Sequence, residues 1–267
     1  MKYKQTPFQP MINGRKVILR ALVGSRIYNL AKDDSDYDYK TFVLPTIDDL
    51  LNNKMVSTSA KDEAGNDYDL KDIRLLSKML AKGNPTYIQI LFSNQLEGDE
   101  ELIKFLTTND MGFIVNNPVG FFKGSIGMCK EKQKAIEKDL PKEETNEGYE
   151  RRLKFGYDTK QLVHIIRLTN ILHKLCIDDY NWHNDLFYER GANRGILMEL
   201  KDNSTILGKV IDKDMAIEEA NALINQTKEI ETKYLEVIKN NYHLEKDLIK
   251  ELDEMIKKML IKEFKLN

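Results

Sequence analysis

The 267 residues are 41% hydrophobic and 31% charged, a balance that supports a folded core beneath a well-solvated surface and excludes a disordered chain. Lys and Arg number 41 against 43 Asp and Glu, a formal net charge of −2, so no overall field draws the protein onto nucleic acid and any such contact must be local. The two cysteines, Cys129 and Cys176, lack the paired spacing of a zinc site and are too few for a disulfide scaffold; with no apolar h-region in Met1 to Pro10 and no long apolar span, they predict a cytoplasmic, non-membrane protein.

In chain order, Lys16 to Val23 (KVILRALV) reads as a buried strand that enters a Gly-Ser turn at Gly24, with a helix expected from about Ser25. Asp33, Asp34 and Ser35 break that helix, and Tyr37 to Leu44 (YDYKTFVL) alternates as a second strand, ended by Pro45. Ala60 to Asn66 reads as a polar loop, and Asp67 to Lys71 (DYDLK) as a short third strand. Asp72 to Lys82 places Ile73, Leu76, Met79 and Leu80 on one helical face before Gly83, and Asn84-Pro85 starts another helix through Leu91.

Beyond Pro118 helical periods dominate, in Phe121 to Leu140, Phe155 to Cys176, Asp214 to Asn240 and Leu244 to Phe264, the last two expected as an antiparallel pair. Trp182, in the polar stretch DDYNWHNDL, reads as an anchor, and His173, His183 and His243 show no ligand spacing. The pattern predicts an α+β protein: a small mixed-sheet core over residues 1–117, then a mostly helical region over 118–267. Nothing in it fixes the oligomeric state.

The chemistry concentrates in Leu22 to Leu44, LVGSRIYNLAKDDSDYDYKTFVL. Residues two apart on a strand share a side, so Asp36 and Asp38 converge on one point, as oxygen ligands of a hard divalent cation must. Glycine lets backbone approach a ligand closely, and N–H groups at a helix start favour phosphate oxygens, which makes Gly24 and Ser25 a candidate polyphosphate grip.

This string resembles the DNA polymerase beta nucleotidyltransferase superfamily, whose motif is an apolar residue, Gly-Ser or Gly-Gly, a short helix, then Asp-x-Asp/Glu in the next strand. GSRIYNLAKDDSDYDYKTFVLP is closest to the predicted bacterial and phage nucleotidyltransferases related to the YcgL proteins, with Asn29 standing where their pattern has glycine. DYDLKDIRLLSKMLAKGNPTYIQILF and the helix GYDTKQLVHIIRL (Gly156 to Leu168) resemble further segments of that family. The resemblance implies a third carboxylate, on Asp67 or Asp69; apolar Tyr68 and Leu70 flank Asp69, which makes it the nearer match.

It implies transfer of a nucleoside monophosphate from an NTP to an acceptor hydroxyl on RNA, a protein or a small molecule, with Mg²⁺ or Mn²⁺ ions about 3.5–4 Å apart. Gly24 and Ser25 would hold the phosphates and Arg26 would neutralise departing pyrophosphate. Lys160, His164 and Arg167, at i, i+4 and i+7 of one helix, would face a base or phosphate. Two other readings remain open: a non-catalytic nucleotide-binding or antitoxin-like module, and a HEPN-like RNase built on the Arg167 and His173 pair.

Overall fold

A computed structural model describes residues 4–138, 147–177, 186–243 and 246–265; Trp182 and His183 lie outside the described residues. The chain divides into two compact units, Met1–Asn117 with Tyr242–Asn267, and Pro118–Asn241. No helix among the described residues is long and apolar enough to cross a membrane.

The first unit is built on a mixed sheet. Strands β1 (Met11–Ile12), β2 (Arg15–Val23), β3 (Asp38–Val43), β4 (Ser57–Lys61) and β5 (Asp67–Asp72) lie in the order β1-β2-β3-β5-β4, and β6 (Leu96–Gly98) also pairs with β2. β3 and β5 run parallel, and the other pairs are antiparallel. The aliphatic run of β2 is buried from Val17 to Leu22, as suits a strand covered on both faces. Arg20 within it is neutralised by Glu97, 2.8 Å away, with its guanidinium 4.5 Å from the centroid of the Tyr39 ring.

One sheet face packs Val17, Val43, Val56 and Leu70 against Phe8, Ile12 and Tyr68. On β3 the next side chain over, Phe42, points to the opposite face and meets Tyr87 at 6.0 Å between ring centroids. Burying each such side chain stabilises the fold by roughly 1.5–3 kcal/mol. β4 (STSAK) is exposed along its whole length, and its last two residues, Ala60 and Lys61, fall in the stretch that the sequence reads as a polar loop. Its ladder to β5 and the 2.9 Å bond from Ser59 Oγ to Asp69 hold it as an edge strand.

Helix caps follow the sequence closely. In α1 (Ile47–Leu51), Thr46 and Asp49 form a reciprocal capping box, and buried Asp49 also receives Arg15 at 2.7 and 2.8 Å. Asp72 caps α2 (Ile73–Ala81); Asn84 caps α3 (Pro85–Ile88), which tightens into a 3-10 turn over Gln89–Phe92. α4 (Glu100–Thr108) and α5 (Asp110–Asn116) follow.

The second unit contains α6 (Pro118–Glu137), α7 (Glu147–Phe155), α8 (Thr159–Lys174), α9 (Gly191–Asn203), a hairpin of β7 (Thr205–Ile206) and β8 (Lys209–Val210), α10 (Lys213–Glu229) and α11 (Glu231–Asn241). α8 packs against α6, α9 and α10, burying Leu162, Val163, Ile165, Leu168, Ile171 and Leu172. The last helix, α12 (Leu248–Phe264), is grouped differently from the helical region 118–267 that the periodicity suggests. It belongs to the first unit, where buried Leu248, Leu252 and Ile256 accompany packing on α2 and α5, and Ser77 Oγ donates to Asp253 at 2.5 Å. An amphipathic stripe specifies that a helix is buried, not against what, so periodicity leaves its partner open.

The helix expected from Ser25 is a single 3-10 turn over Gly24–Arg26. Leu30 N donates to Ser25 O at 2.8 Å, and Asn29 takes φ +60°, which ends any helical continuation. Asparagine is among the few non-glycine residues at ease in that left-handed region, so the chain keeps the bend at the position where the related pattern has glycine.

Candidate active site

Asp38 is the first residue of β3 and Asp67 the first residue of β5. The parallel register pairs Tyr39 with Tyr68 and Lys40 with Asp69, so one step back along both strands sets Asp38 beside Asp67 on the same face. Asp36 lies two residues before β3 and reaches the same point. One carboxylate oxygen from each of Asp36, Asp38 and Asp67 lies within 4.8 Å of the others. Asp36 and Asp38 are half-buried and Asp67 is exposed. Three carboxylates gathered this closely repel one another unless a cation lies between them. Their all-oxygen chemistry suits Mg²⁺ or Mn²⁺ rather than a soft metal.

Asp69, the nearer match by flanking residues, is differently engaged. Lys40 Nζ approaches it at 3.2 Å and Lys71 Nζ at 2.7 Å, and Ser59 donates to it at 2.9 Å. Burial pushes its pKa up, but the bond from Lys71, the charge of Lys40 and the Ser59 hydroxyl together hold it below the ordinary carboxylate value. Asp67, not Asp69, therefore joins Asp36 and Asp38. Asp67 and Asp69 share one face, and the parallel pairing with β3 decides which of them meets an acid and which meets Lys40. Lys40 is itself buried, which pulls its pKa down against the pull of Asp69, and its ammonium sits 4.7 Å from the Tyr87 ring centroid.

The Gly-Ser turn lies against this cluster. Gly24 has φ +71°, and a Cβ built there would collide with Asp38 Oδ2 and lie 2.8 Å from Asp38 Cγ. Only glycine lets the turn approach the carboxylate so closely. Ser25 follows in the same half-buried turn. Arg26 is held by the loop before β3. Its Nε donates to Asp36 O at 2.9 Å, a terminal nitrogen donates to Ser35 O, and its guanidinium stacks 3.6 Å from the Tyr37 ring centroid. These bonds tie Arg26 to the loop that carries Asp36.

In the second unit, Asp158 caps α8 by accepting from Lys160 N at 3.2 Å and also holds Arg151 at 2.6 Å. His164 has its pKa lowered well below the ordinary value, first by burial and then by the charges of Arg167, Lys132, Lys160 and Lys201. The imidazole is neutral at pH 7 amid cationic side chains from α6, α8 and α9. Arg167 is buried rather than part of a wet face. His173, six residues on, falls about 120° around the helix from Arg167.

Cys129 and Cys176 are free and buried, and burial pushes the Cys129 thiol up to about 12. That environment makes Cys129 no nucleophile. Among residues outside the sequence-derived set, Lys40, Lys71 and Asn66 bear on the site. Lys40 falls two positions after Asp38 and so shares its side of β3, a spacing visible in the sequence; Asn66 gave no signal beyond that of a turn residue.

Comparison with family models matches residues 5–173 to the RlaP family, described as the RNA repair pathway DNA polymerase beta family. Comparisons with curated proteins and with solved structures return no match. The matched segment contains the three-acid cluster, the Gly-Ser turn and the α8 residues, and polymerase beta-like membership points to nucleotidyltransferase activity. The chain belongs to the RNA repair pathway DNA polymerase beta family.

Proposed function

We propose that this protein transfers a nucleoside monophosphate from an NTP to an acceptor hydroxyl on RNA, using Mg²⁺ or Mn²⁺ held by Asp36, Asp38 and Asp67. The observation that carries the reading is the convergence of these three carboxylates beside a turn that only glycine can form. RNA is chosen among acceptors because the family description places its members in RNA repair. The likeness to YcgL-type proteins, a cytoplasmic setting and a catalytic role for the first unit belong to the same reading.

Bound divalent ions would supply a Lewis-acid clamp on the triphosphate and favour ionisation of the attacking hydroxyl. Asp36, Asp38 and Asp67 provide the oxygen ligands, and the backbone of Gly24 and Ser25 orients the β- and γ-phosphates. The acceptor oxygen forms a bond to the α-phosphorus while the bond from that phosphorus to the bridging oxygen breaks, and pyrophosphate leaves with the electron pair. Asp67, the exposed member of the cluster, takes the hydroxyl proton. In the helical unit, half-buried Lys160 would offer positive charge to a phosphate, on the same helix as His164 and the buried Arg167.

Incubating the protein with each α-labelled NTP, Mg²⁺ or Mn²⁺, and separated RNA and protein fractions tests the assignment. Label entering RNA, with one NTP preferred, supports it. NTP bound without turnover would leave a nucleotide-binding module instead, and label in protein would move the acceptor.

A further inference from the structure

Asn66 has no role in the reading above, yet it is completely buried and its side chain ties three segments together. Its Oδ1 accepts from the backbone N–H of Tyr37 at 3.0 Å, and Tyr37 is the residue between Asp36 and Asp38. Its Nδ2 donates to Lys4 O and Thr6 Oγ1, both at 2.9 Å, with Asp62 Oδ2 at 3.2 Å. Asn66 N in turn donates to Asp62 Oδ1 at 2.9 Å, and Thr6 Oγ1 donates to Asp62 Oδ2. The next residue along the chain is Asp67.

One amide therefore links the loop bearing two of the acids to the turn bearing the third. A primary amide suits the position: it accepts from one backbone N–H while donating to a carbonyl and a hydroxyl, which neither a carboxylate nor an aliphatic side chain can do. A buried amide of this kind costs stability if its partners are lost, so its polar bonds hold the spacing firmly. Arg26 braces the same loop from the side of the Gly-Ser turn, through Ser35 O and Asp36 O.

We infer that Asn66 is a positioning residue for the metal cluster, setting the distance of Asp67 from Asp36 and Asp38 by gripping Tyr37 N and the Thr6–Asp62 pair. This rests on the metal-site reading above. Side chains that orient metal ligands without touching the metal typically change its affinity by about 10–100-fold when altered.

The test measures Mn²⁺ affinity by electron paramagnetic resonance for the full chain, beside its melting temperature. Asn66→Ala is expected to bind Mn²⁺ at least about tenfold more weakly. Val56→Ala, a change in the hydrophobic core that removes none of the hydrogen bonds of Asn66, serves as the control for stability and is expected to keep native affinity despite a lowered melting temperature. Should Asn66→Ala fail to fold, Thr6→Val takes its place and is expected to bind several-fold more weakly. Native affinity in the folded variant, or an equal loss in Val56→Ala, overturns the inference. Absence of Mn²⁺ binding by the native chain would overturn the metal reading and this inference with it, a failure distinct from normal binding that Asn66 does not influence.

Discussion

Two neighbouring rows of the same sheet face differ in how their charges are combined. At the start of β3 and β5, Asp38 and Asp67 stand side by side with Asp36, three negative groups within 4.8 Å. Two residues along both strands, Lys40 meets Asp69, and Lys71 follows it, so that the charges alternate in sign at 3.2 and 2.7 Å. The second row is neutralised within itself, whereas in the first the three carboxylates crowd together with Lys61 Nζ 3.3 Å from Asp67, an arrangement that a bound cation would relieve. A mechanism that distinguishes the rows must respond differently to changes only two residues apart.

The largest effect is expected from Asp36→Asn and Asp38→Asn. Each should lower metal-dependent pyrophosphate release by about a thousandfold or more, because several kcal/mol of charge stabilisation depends on the ligands, while circular dichroism stays native. Gly24→Ala comes next, with a loss of about a hundredfold in kcat/KM, since the added Cβ pushes on Asp38 in a site where misplacement by about 1 Å carries that penalty. Asp67→Asn should fall in the same range.

Asp69→Asn sharpens the contrast. It is expected to change activity by less than about tenfold, yet to lower unfolding stability at neutral pH by about 1–2 kcal/mol, because buried Lys40 loses its partner. Since the folded-state pKa of Asp69 is depressed, its contribution is present above the unfolded value of 3.8 and is lost as pH falls through the lower folded value. The stability gap between the native and Asp69→Asn chains should therefore close on acidification below that value, as read by urea unfolding at a series of pH values. The smallest effect belongs to His173→Ala, expected to leave nucleotidyl transfer and RNA integrity within about twofold; metal-independent RNA cleavage lost in that variant would favour the RNase reading.

The same pair of rows shows what the sequence conveys. Asp36 and Asp38 are legible because two-residue spacing in extended chain brings side chains together without tertiary information. Asp67 and Asp69 have identical spacing to one another, and the choice between them depends on the register with β3, which no local pattern carries. β4 escapes notice because an exposed edge strand of Ser, Thr, Ala and Lys has no apolar alternation to reveal it. The turn at Gly24 is visible, whereas its failure to continue into a helix depends on the left-handed residue Asn29. The packing of α12 on α2 and α5 is a long-range choice among amphipathic faces. Asn66, at the end of a polar loop, looks like any turn residue until its four partners are in place.

The central claim is that the like-charged row binds the metal and the alternating row does not. Anomalous diffraction from crystals grown with Mn²⁺ tests this most directly. The account predicts a peak coordinated by oxygens of Asp36, Asp38 and Asp67 at about 2.1 Å, with Asp69 still paired to Lys40 and Lys71. A peak bound by Asp69 in place of Asp67, or no peak at the three-acid cluster, would contradict it.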